Sequence, residues 1–332
     1  MKSIKNIIIS RTDSIGDVVL TLPMAKALKD AFPGVCIGFL GKPYTKAVIE
    51  ACEYVDEFLD VNQFLETEIT LCSQSPEAII HVFPVAAITR RARQLRIPLR
   101  IGTTNRHYHW FACNELIKLS RRKSCLHEAQ LNLKLLEAFD LKTDFSLAEI
   151  RNMYGLNRLQ SLDNELAALI DKKKYSLILH SKSQGNGREW GLKNFIQLIH
   201  SLDKDRYQIF ISGTEKEREL LQPLFEAAGN RVINICGAMN LAQFISFINH
   251  CDGLVASGTG PLHIAAALGK QAFGIFPPVK PIHPERWAPV GTNAQFFVSD
   301  MKDESPDNVN TISVSPQLVK EAIEKSAALI LV

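Results

Sequence analysis

Short apolar runs alternate with amphipathic stretches along the whole chain. In the first half, apolar and β-branched runs predict buried strands at residues 4–10, 35–41, 57–61 and 77–82. Helical apolar spacing follows at residues 18–32 and 43–52, with a weakly patterned helix before the fourth strand. Pro23 is expected to kink the first helix or to end its opening turn. This alternation predicts βαβ units and a parallel sheet.

The second half repeats the pattern. A charged helix at 163–174 leads to a predicted domain boundary near residues 172–174, which gives domains 1–172 and 173–332, with the last helix free to pack back on the first domain. Fresh strands are predicted at 176–180, 207–212, 232–235, 253–256 and 271–276, and helices at 127–141, 192–202, 215–228 and 241–250. Two doubly wound α/β domains result. Because ligands bind at the carboxyl ends of such strands, we expect one cleft between the domains, lined by the turns 11–17, 181–190, 212–217, 236–240 and 257–260.

Length and composition agree with this picture. A chain of 332 residues exceeds what one core usually carries. The net charge of +3 argues against a general nucleic-acid binder. We see no signal peptide and no apolar run of about eighteen residues, so a soluble, cytoplasmic protein is expected. The seven cysteines form no Cys-x-x-Cys pair, which predicts reduced thiols that mostly serve as small core residues.

Charge is concentrated between residues 89 and 123. Ten lysines and arginines stand there against one acid, Glu115, with aromatic side chains at 107–111. A solvated helix face explains any one of these arginines. Together they indicate contact with something anionic, for which phosphorylated glycolipid, a membrane surface and nucleic acid all fit.

Two turns carry candidate chemistry. Residues 11–17 form a polar turn with one glycine, so the dinucleotide fingerprint Gly-x-Gly-x-x-Gly is absent. Residues 257–260 turn on two glycines into a helix headed by Pro261, where exposed amides and the helix dipole suit a diphosphate, although an ordinary strand-to-helix connection fits equally well. Asp203 and Asp205 have a metal-binding spacing, but they lie between a helix and the next strand, away from the carboxyl ends. We interpret them as a solvated loop.

In combination these segments closely resemble glycosyltransferase family 9, the ADP-heptose transferases of lipopolysaccharide core assembly. The resemblance rests on residues 13–23 and 257–267, with further matches at 100–102, 127–128, 188–190 and 237–241. It implies a GT-B fold of two Rossmann-like domains, the first for the acceptor and the second for the sugar nucleotide. It also implies an inverting transfer that needs no metal and no cofactor.

The resemblance, together with residue type and charge, indicates roles for individual residues. The catalytic base corresponds to Asp17, with Asp13 as second choice. The expected donor-binding residues are Lys182, Arg188, Glu215, Glu217, Met239, Ser257, Gly258, Thr259, Gly260 and His263. Among these, Arg188 suits bidentate contact with phosphate, a glutamate suits the ribose hydroxyls, and His263 is equally well explained as a core histidine. The basic residues Arg93, Arg96 and Arg100 are expected to bind the acceptor.

One departure affects the donor. Several members of the family carry Asp where this chain has Gly258, and that acid helps to hold the donor sugar or its phosphates. A heptose moved from ADP-heptose to the anionic lipopolysaccharide core remains the leading expectation. It includes peripheral contact with the inner face of the inner membrane and no nucleic-acid partner. The alternatives are a GT-B transferase or epimerase using another nucleotide sugar, and a non-catalytic nucleotide-sugar or glycan-binding module.

Overall fold

A computed structural model describes residues 4–183, 188–299 and 312–330. The chain forms two compact units, Met1–Arg158 and Leu159–Val332. The segment 159–172, which the sequence analysis placed in the first domain, therefore belongs to the second unit.

The first unit is built on a parallel sheet of six strands in the order β3-β2-β1-β4-β5-β6. The strands are β1 (Asn6–Ser10), β2 (Cys36–Gly41), β3 (Glu57–Asp60), β4 (Ala78–His81), β5 (Leu99–Thr103) and β6 (Glu115–Ile117). The α-helices are α1 (Ile15–Val19), α2 (Pro23–Ala31), α3 (Lys46–Glu50), α4 (Val61–Glu66), α5 (Ala86–Gln94), α6 (His107–Ala112), α7 (Glu128–Leu133) and α8 (Leu147–Ile150). Short 3₁₀ helices span Pro43–Thr45 and Lys134–Phe139.

The second unit has a parallel sheet of six strands in the order β12-β11-β10-β7-β8-β9. Its strands are β7 (Tyr175–His180), β8 (Tyr207–Ser212), β9 (Val232–Asn234), β10 (Gly253–Ser257), β11 (Gln271–Phe276) and β12 (Ala294–Val298). Its α-helices are α9 (Asn164–Ala168), α10 (Leu192–Ser201), α11 (Glu215–Leu220), α12 (Gln222–Ala228), α13 (Leu241–His250), α14 (Gly260–Ala267), α15 (Pro284–Trp287) and α16 (Pro316–Ile330), and a 3₁₀ helix spans Gly229–Arg231.

Both sheets have the same topology. Counted from the first strand of each unit, the order is 3-2-1-4-5-6, the arrangement of dinucleotide-binding folds. Central strands are buried on both faces, as the uninterrupted run Ile7–Ile9 on β1 shows. Apolar runs of this kind made the central strands predictable.

Several elements differ from the sequence-based expectation. The helix predicted over 18–32 is divided, because α1 ends at Val19 and Pro23 begins α2. The helix predicted over 215–228 is likewise divided into α11 and α12. The strands β5, β6 and β12 were not predicted. β6 has only three residues, and β12 is half exposed at a sheet edge although it ends in the apolar run 296–298.

The cysteines correct one expectation. Cys36, at the start of β2, forms a disulfide with Cys72, so the prediction of reduced thiols was wrong for this pair. The turn around residues 71–74 folds against β2 and brings the two Cα atoms to 6.5 Å, a contact that sequence spacing cannot reveal. Among the described cysteines the other five are free, and four of those are buried.

In the part of the chain that the structure describes, no helix is long and apolar enough to cross a membrane.

Candidate active site

Each sheet has a point at which its strand order reverses, and such points are where open α/β sheets bind ligands. In the first unit it lies between the carboxyl ends of β1 and β4, so the turn 11–17 opens directly onto it. In the second unit it lies between β7 and β10, where the loop after His180 and the turn 257–260 begin. The topology therefore places both predicted turns at ligand-binding edges, each within its own unit.

A buried arginine organises the turn of the first unit. Arg11 follows β1 directly and its side chain is only 3% exposed. Its Nε donates to Asp13 Oδ1 over 2.7 Å, and its Nη2 donates to Asp17 Oδ1. The Ser14 hydroxyl donates to the second oxygen of Asp17. The two predicted carboxylates are thus brought together by one guanidinium, which the sequence analysis had not singled out.

The opposite side of Arg11 contacts α7. Its Nη1 donates to Glu128 Oε1 over 3.0 Å and to Asn132 Oδ1 over 3.2 Å. Arg121, in the loop after β6, donates to the same two atoms, each over 2.9 Å. Asn132 donates in turn to the backbone carbonyl of Leu20. We call Arg11, Asp13, Asp17, Arg121, Glu128 and Asn132 the Arg11 cluster.

Burial and neighbouring charges change the pKa values of Arg11 and Asp13 in the cluster. Burial disfavours the charge of Arg11, but the carboxylates of Asp17, Asp13 and Glu128 outweigh that effect and raise its pKa. Burial, assisted by the charge of Asp17 and opposed by Arg11, raises the pKa of Asp13 to about 6. A carboxyl group with such a pKa gains and loses its proton near neutral pH, so the turn offers base chemistry at the carboxyl edge of the sheet.

In the second unit, four predicted loops lie next to one another. They follow β10, β7, β8 and β9, which are consecutive neighbours in the sheet, so residues 257–260, 181–190, 212–217 and 236–240 line one continuous edge. Residues 184–187 of the second loop lie outside the described residues. Nearly all predicted donor-binding residues lie on this edge.

A cavity of about 750 Å³ opens on the edge. Its lining includes the predicted Lys182, Glu215 and Glu217 together with Glu189, Thr214, Lys216 and Leu220. Lys182 Nζ donates to Glu189 Oε2 over 2.9 Å, so this lysine is held at the cavity wall by an ion pair. The volume is within the range of small-molecule sites.

The two glutamates of α11 differ sharply. Glu217 is buried, and its Oε2 accepts from the backbone amide and hydroxyl of Thr214 in a capping box. Its Oε1 is buried without a hydrogen-bond partner in the described part of the chain. Glu215 is exposed and pairs with Arg218 over 3.0 Å. An unpartnered buried oxygen at a cavity wall favours Glu217 over Glu215 as the group that meets hydroxyls of a ligand.

The glycine turn has the shape that the sequence predicted. β10 ends at Ser257, Thr259 precedes the first residue of α14, and α14 begins at Gly260. The first amides of a helix have no partner within it, so they can receive an anion. The Thr259 hydroxyl is buried and has no partner among the described residues. A β-carbon added at Gly258 would lie 2.8 Å from Cε1 of Phe276, so the ring occupies the space beside this glycine.

The remaining predicted donor residues are less distinctive. Arg188 is half-buried in the loop after β7, and its neighbour Trp190 is anchored in the core through a bond to the Val314 carbonyl. Met239 is half-buried after β9. His263 is buried inside α14.

The predicted acceptor-binding arginines do not join the Arg11 cluster. α5 runs from the carboxyl end of β4 to the amino end of β5, so Arg93, Arg96 and Arg100 lie at the amino edge of the sheet. Arg93 donates to the backbone carbonyl of Phe111, and Arg100 donates to that of Ala112 over 2.7 Å. These two arginines therefore fasten the end of α6. Their assignment to the acceptor stays a prediction that their position does not favour.

Other cations of the basic stretch lie at the carboxyl edge. Arg106 follows β5, and Lys118, Arg121, Arg122 and Lys123 follow β6. Trp110 and Phe111 on α6, which lie between Arg106 and Lys118 in the sequence, are exposed to solvent. In the sequence these cations cannot be separated from the rest of the basic stretch, since only the strand topology tells one edge of the sheet from the other.

Comparison with known proteins decides the family. The model of glycosyltransferase family 9 (heptosyltransferase) matches residues 81–316, more than half of the chain. The chain belongs to glycosyltransferase family 9. A Haemophilus influenzae protein described as a glycosyltransferase is 23% identical over 95% of both chains.

Solved structures of the family share the fold. A family 9 glycosyltransferase from Veillonella parvula superimposes with a TM-score of 0.77 at 17% identity, covering 99% of both chains. The Escherichia coli ADP-heptose lipopolysaccharide heptosyltransferase II gives a TM-score of 0.76 at 16% identity, covering 99% of this chain and 100% of that one. The chain is a heptosyltransferase-like glycosyltransferase with the GT-B fold, as expected from the sequence.

Proposed function

We propose that this family 9 enzyme transfers a heptose from ADP-heptose to the anionic inner core of lipopolysaccharide, with inversion and without a metal ion. The observation that carries the proposal is the pair of carboxylates held by Arg11 at the carboxyl edge of the first sheet. The second unit supplies a cavity, a lysine at its wall and a helix start suited to a diphosphate. The Escherichia coli neighbour named as an ADP-heptose transferase supports the choice of donor.

In the proposed reaction, the acceptor hydroxyl oxygen attacks the anomeric carbon of the donor. Its proton passes to Asp17, and the bond from the anomeric carbon to the diphosphate oxygen breaks with its electron pair leaving on ADP. A single displacement inverts the anomeric centre. Arg188 and the amides of Gly258, Thr259 and Gly260 stabilise the negative charge on the departing diphosphate.

The acceptor is proposed to lie on the first unit, beside the Arg11 cluster. The cations at the carboxyl edge after β5 and β6 complement the phosphates of a lipopolysaccharide core. Trp110 and Phe111, which lie between Arg106 and Lys118 in the sequence, are exposed and suit peripheral contact with a membrane interface, which stays a prediction.

A second donor has one specific observation in its favour. Phe276 fills the space beside Gly258, where the family resemblance implies an aspartate that holds the donor. An enzyme that transfers a different sugar is therefore the alternative. Thermal-shift titration separates the two, because a ligand that binds only the folded state raises the melting temperature. ADP-heptose should stabilise the protein more than UDP-sugars or other ADP-sugars do.

The test of the mechanism is Asp17→Asn, assayed by ADP release in EDTA. The variant keeps the size of the side chain and loses its basicity, so turnover should fall by about 10²–10⁴-fold while ADP affinity stays near the wild-type value. Asp13→Asn is the matched control, because Arg11 holds both carboxylates. If Asp13→Asn is inactive and Asp17→Asn transfers normally, Asp13 is the base. If both variants remain active, this acid–base mechanism is refuted.

A further inference from the structure

The acid on the far side of Arg11 has no role in the proposed reaction, yet it is the most buried carboxylate of the Arg11 cluster. Glu128 is 1% exposed and lies on α7, remote in sequence from the turn 11–17. Burying an ionised carboxylate is costly unless its partners repay the lost hydration. Among the described residues it forms ion pairs with Arg11 and Arg121, and these two guanidinium groups offset part of that cost.

The hydrogen bonds fix the orientation of Arg11 on all sides. Nε contacts Asp13, Nη2 contacts Asp17, and Nη1 contacts Glu128 and Asn132. The guanidinium is a rigid planar fork, so it cannot rotate toward one partner without weakening its bonds to the others. Phe83 covers one face, with its ring centroid 5.8 Å from the central carbon of the guanidinium.

Resting on the proposed function, we propose that Glu128 is a positioning residue for proton transfer. It holds the guanidinium of Arg11 in the orientation that faces Asp17 and Asp13. Its negative charge also offsets part of the positive charge of Arg11 and Arg121, which would otherwise make Asp17 a weaker proton acceptor.

The balance of charge gives this proposal a sign. Within the described residues, the charged and titratable groups around Arg11 are Asp13 and Asp17 of its own turn, Tyr44 of the following 3₁₀ helix, Glu128 of α7 and Arg121 of the loop after β6. Neutralising Glu128 leaves Arg11 and Arg121 with fewer negative charges. The positive charges of Arg11 and Arg121 then stabilise ionised Asp17 more strongly, which makes Asp17 a weaker proton acceptor. Removing Arg121 acts in the opposite direction.

The experiment measures the pH dependence of kcat for Glu128→Gln and Arg121→Gln, with saturating donor and acceptor. Glu128→Gln should move the acidic limb to lower pH by about one unit and reduce the maximal kcat by roughly 3–10-fold. Arg121→Gln should move the limb to higher pH. Glu128→Asp, which keeps the charge, should restore most of the wild-type profile. Glu149→Gln is the control, because Glu149 caps α8 and pairs with Lys142 without contacting the cluster.

The outcomes separate the inference from the mechanism on which it rests. If the acidic limb of the kcat profile stays in place in both Glu128→Gln and Arg121→Gln, the inference is overturned. It is also overturned if the limb moves in the same direction in both variants. A lower kcat with an unmoved limb assigns Glu128 a merely structural role and also overturns it. Should Glu128→Gln fail to fold, the direction in which Arg121→Gln moves the acidic limb decides the question. The Arg121 side chain is 21% exposed, so its replacement is less disruptive to the fold. Activity in Asp17→Asn refutes the proposed base independently of these results.

Discussion

His81 is expected to make the first unit sensitive to acid. It ends β4 beside Ser10, the last residue of β1, and its side chain is 0% exposed. Neither ring nitrogen has a hydrogen-bond partner in the part of the chain that the structure describes. Burial, together with the charges of His109 and Arg100, lowers the pKa of His81 to about 3. The imidazole is therefore neutral in the folded protein throughout the working pH range.

The sign and size of the effect follow from linkage. The unfolded chain takes up a proton at His81 below its ordinary pKa of about 6.5, whereas the folded chain does so only near pH 3. The stability contributed by the neutral imidazole is thus present above pH 6.5 and is lost as the pH falls. Between pH 7 and pH 5 the free energy of unfolding should decrease by about 2 kcal/mol on account of this residue.

The perturbation is His81→Leu, which removes the proton-binding group and its unpartnered nitrogens. Urea unfolding at pH 7 and pH 5, fitted with separate transitions for the two units, gives the change in unfolding free energy. The variant should lose about 2 kcal/mol less than the wild type on acidification. His107→Gln, at an exposed position in the same unit, should behave as the wild type does. Equal losses in wild type and His81→Leu would refute the reasoning, because they would mean that His81 takes up its proton while the protein is folded.

Two further predictions address ligand binding. Arg188→Ala should weaken ADP affinity by about 10–100-fold, because a charge-assisted hydrogen bond to phosphate is lost, and it should leave the acceptor KM unchanged. Calorimetry with ADP measures the affinity. A raised acceptor KM with unchanged ADP affinity would mean that this loop does not bind the donor. Reversing Arg122 and Lys123 to Glu should raise the acceptor KM and reduce its salt dependence, whereas reversing Arg93 and Arg96 should not. The opposite result in steady-state kinetics would show that the acceptor lies at the amino edge of the sheet.

The sequence alone determined the fold class and the two main turns. Buried parallel strands need continuous apolar runs, so segments such as Ile7–Ile9 and 253–256 are visible without any tertiary information. Polar residues directly after such runs must lie at the carboxyl edge of a sheet. Asp13, Asp17 and the turn 257–260 were therefore placed correctly by local pattern, and the family resemblance followed from the same residues.

Only the tertiary structure decided which distant residues surround those turns. Arg11 and Glu128 are separated by 117 positions, and nothing in local periodicity pairs a polar residue of one helix with a particular turn. The same holds for the disulfide between Cys36 and Cys72. The basic stretch is the clearest case. Composition groups all of its cations together, but a helix that crosses the sheet carries Arg93 to one edge while the loop after β6 leaves Arg121 at the other. Position along a sheet depends on strand order and direction, which charge and hydropathy do not encode residue by residue.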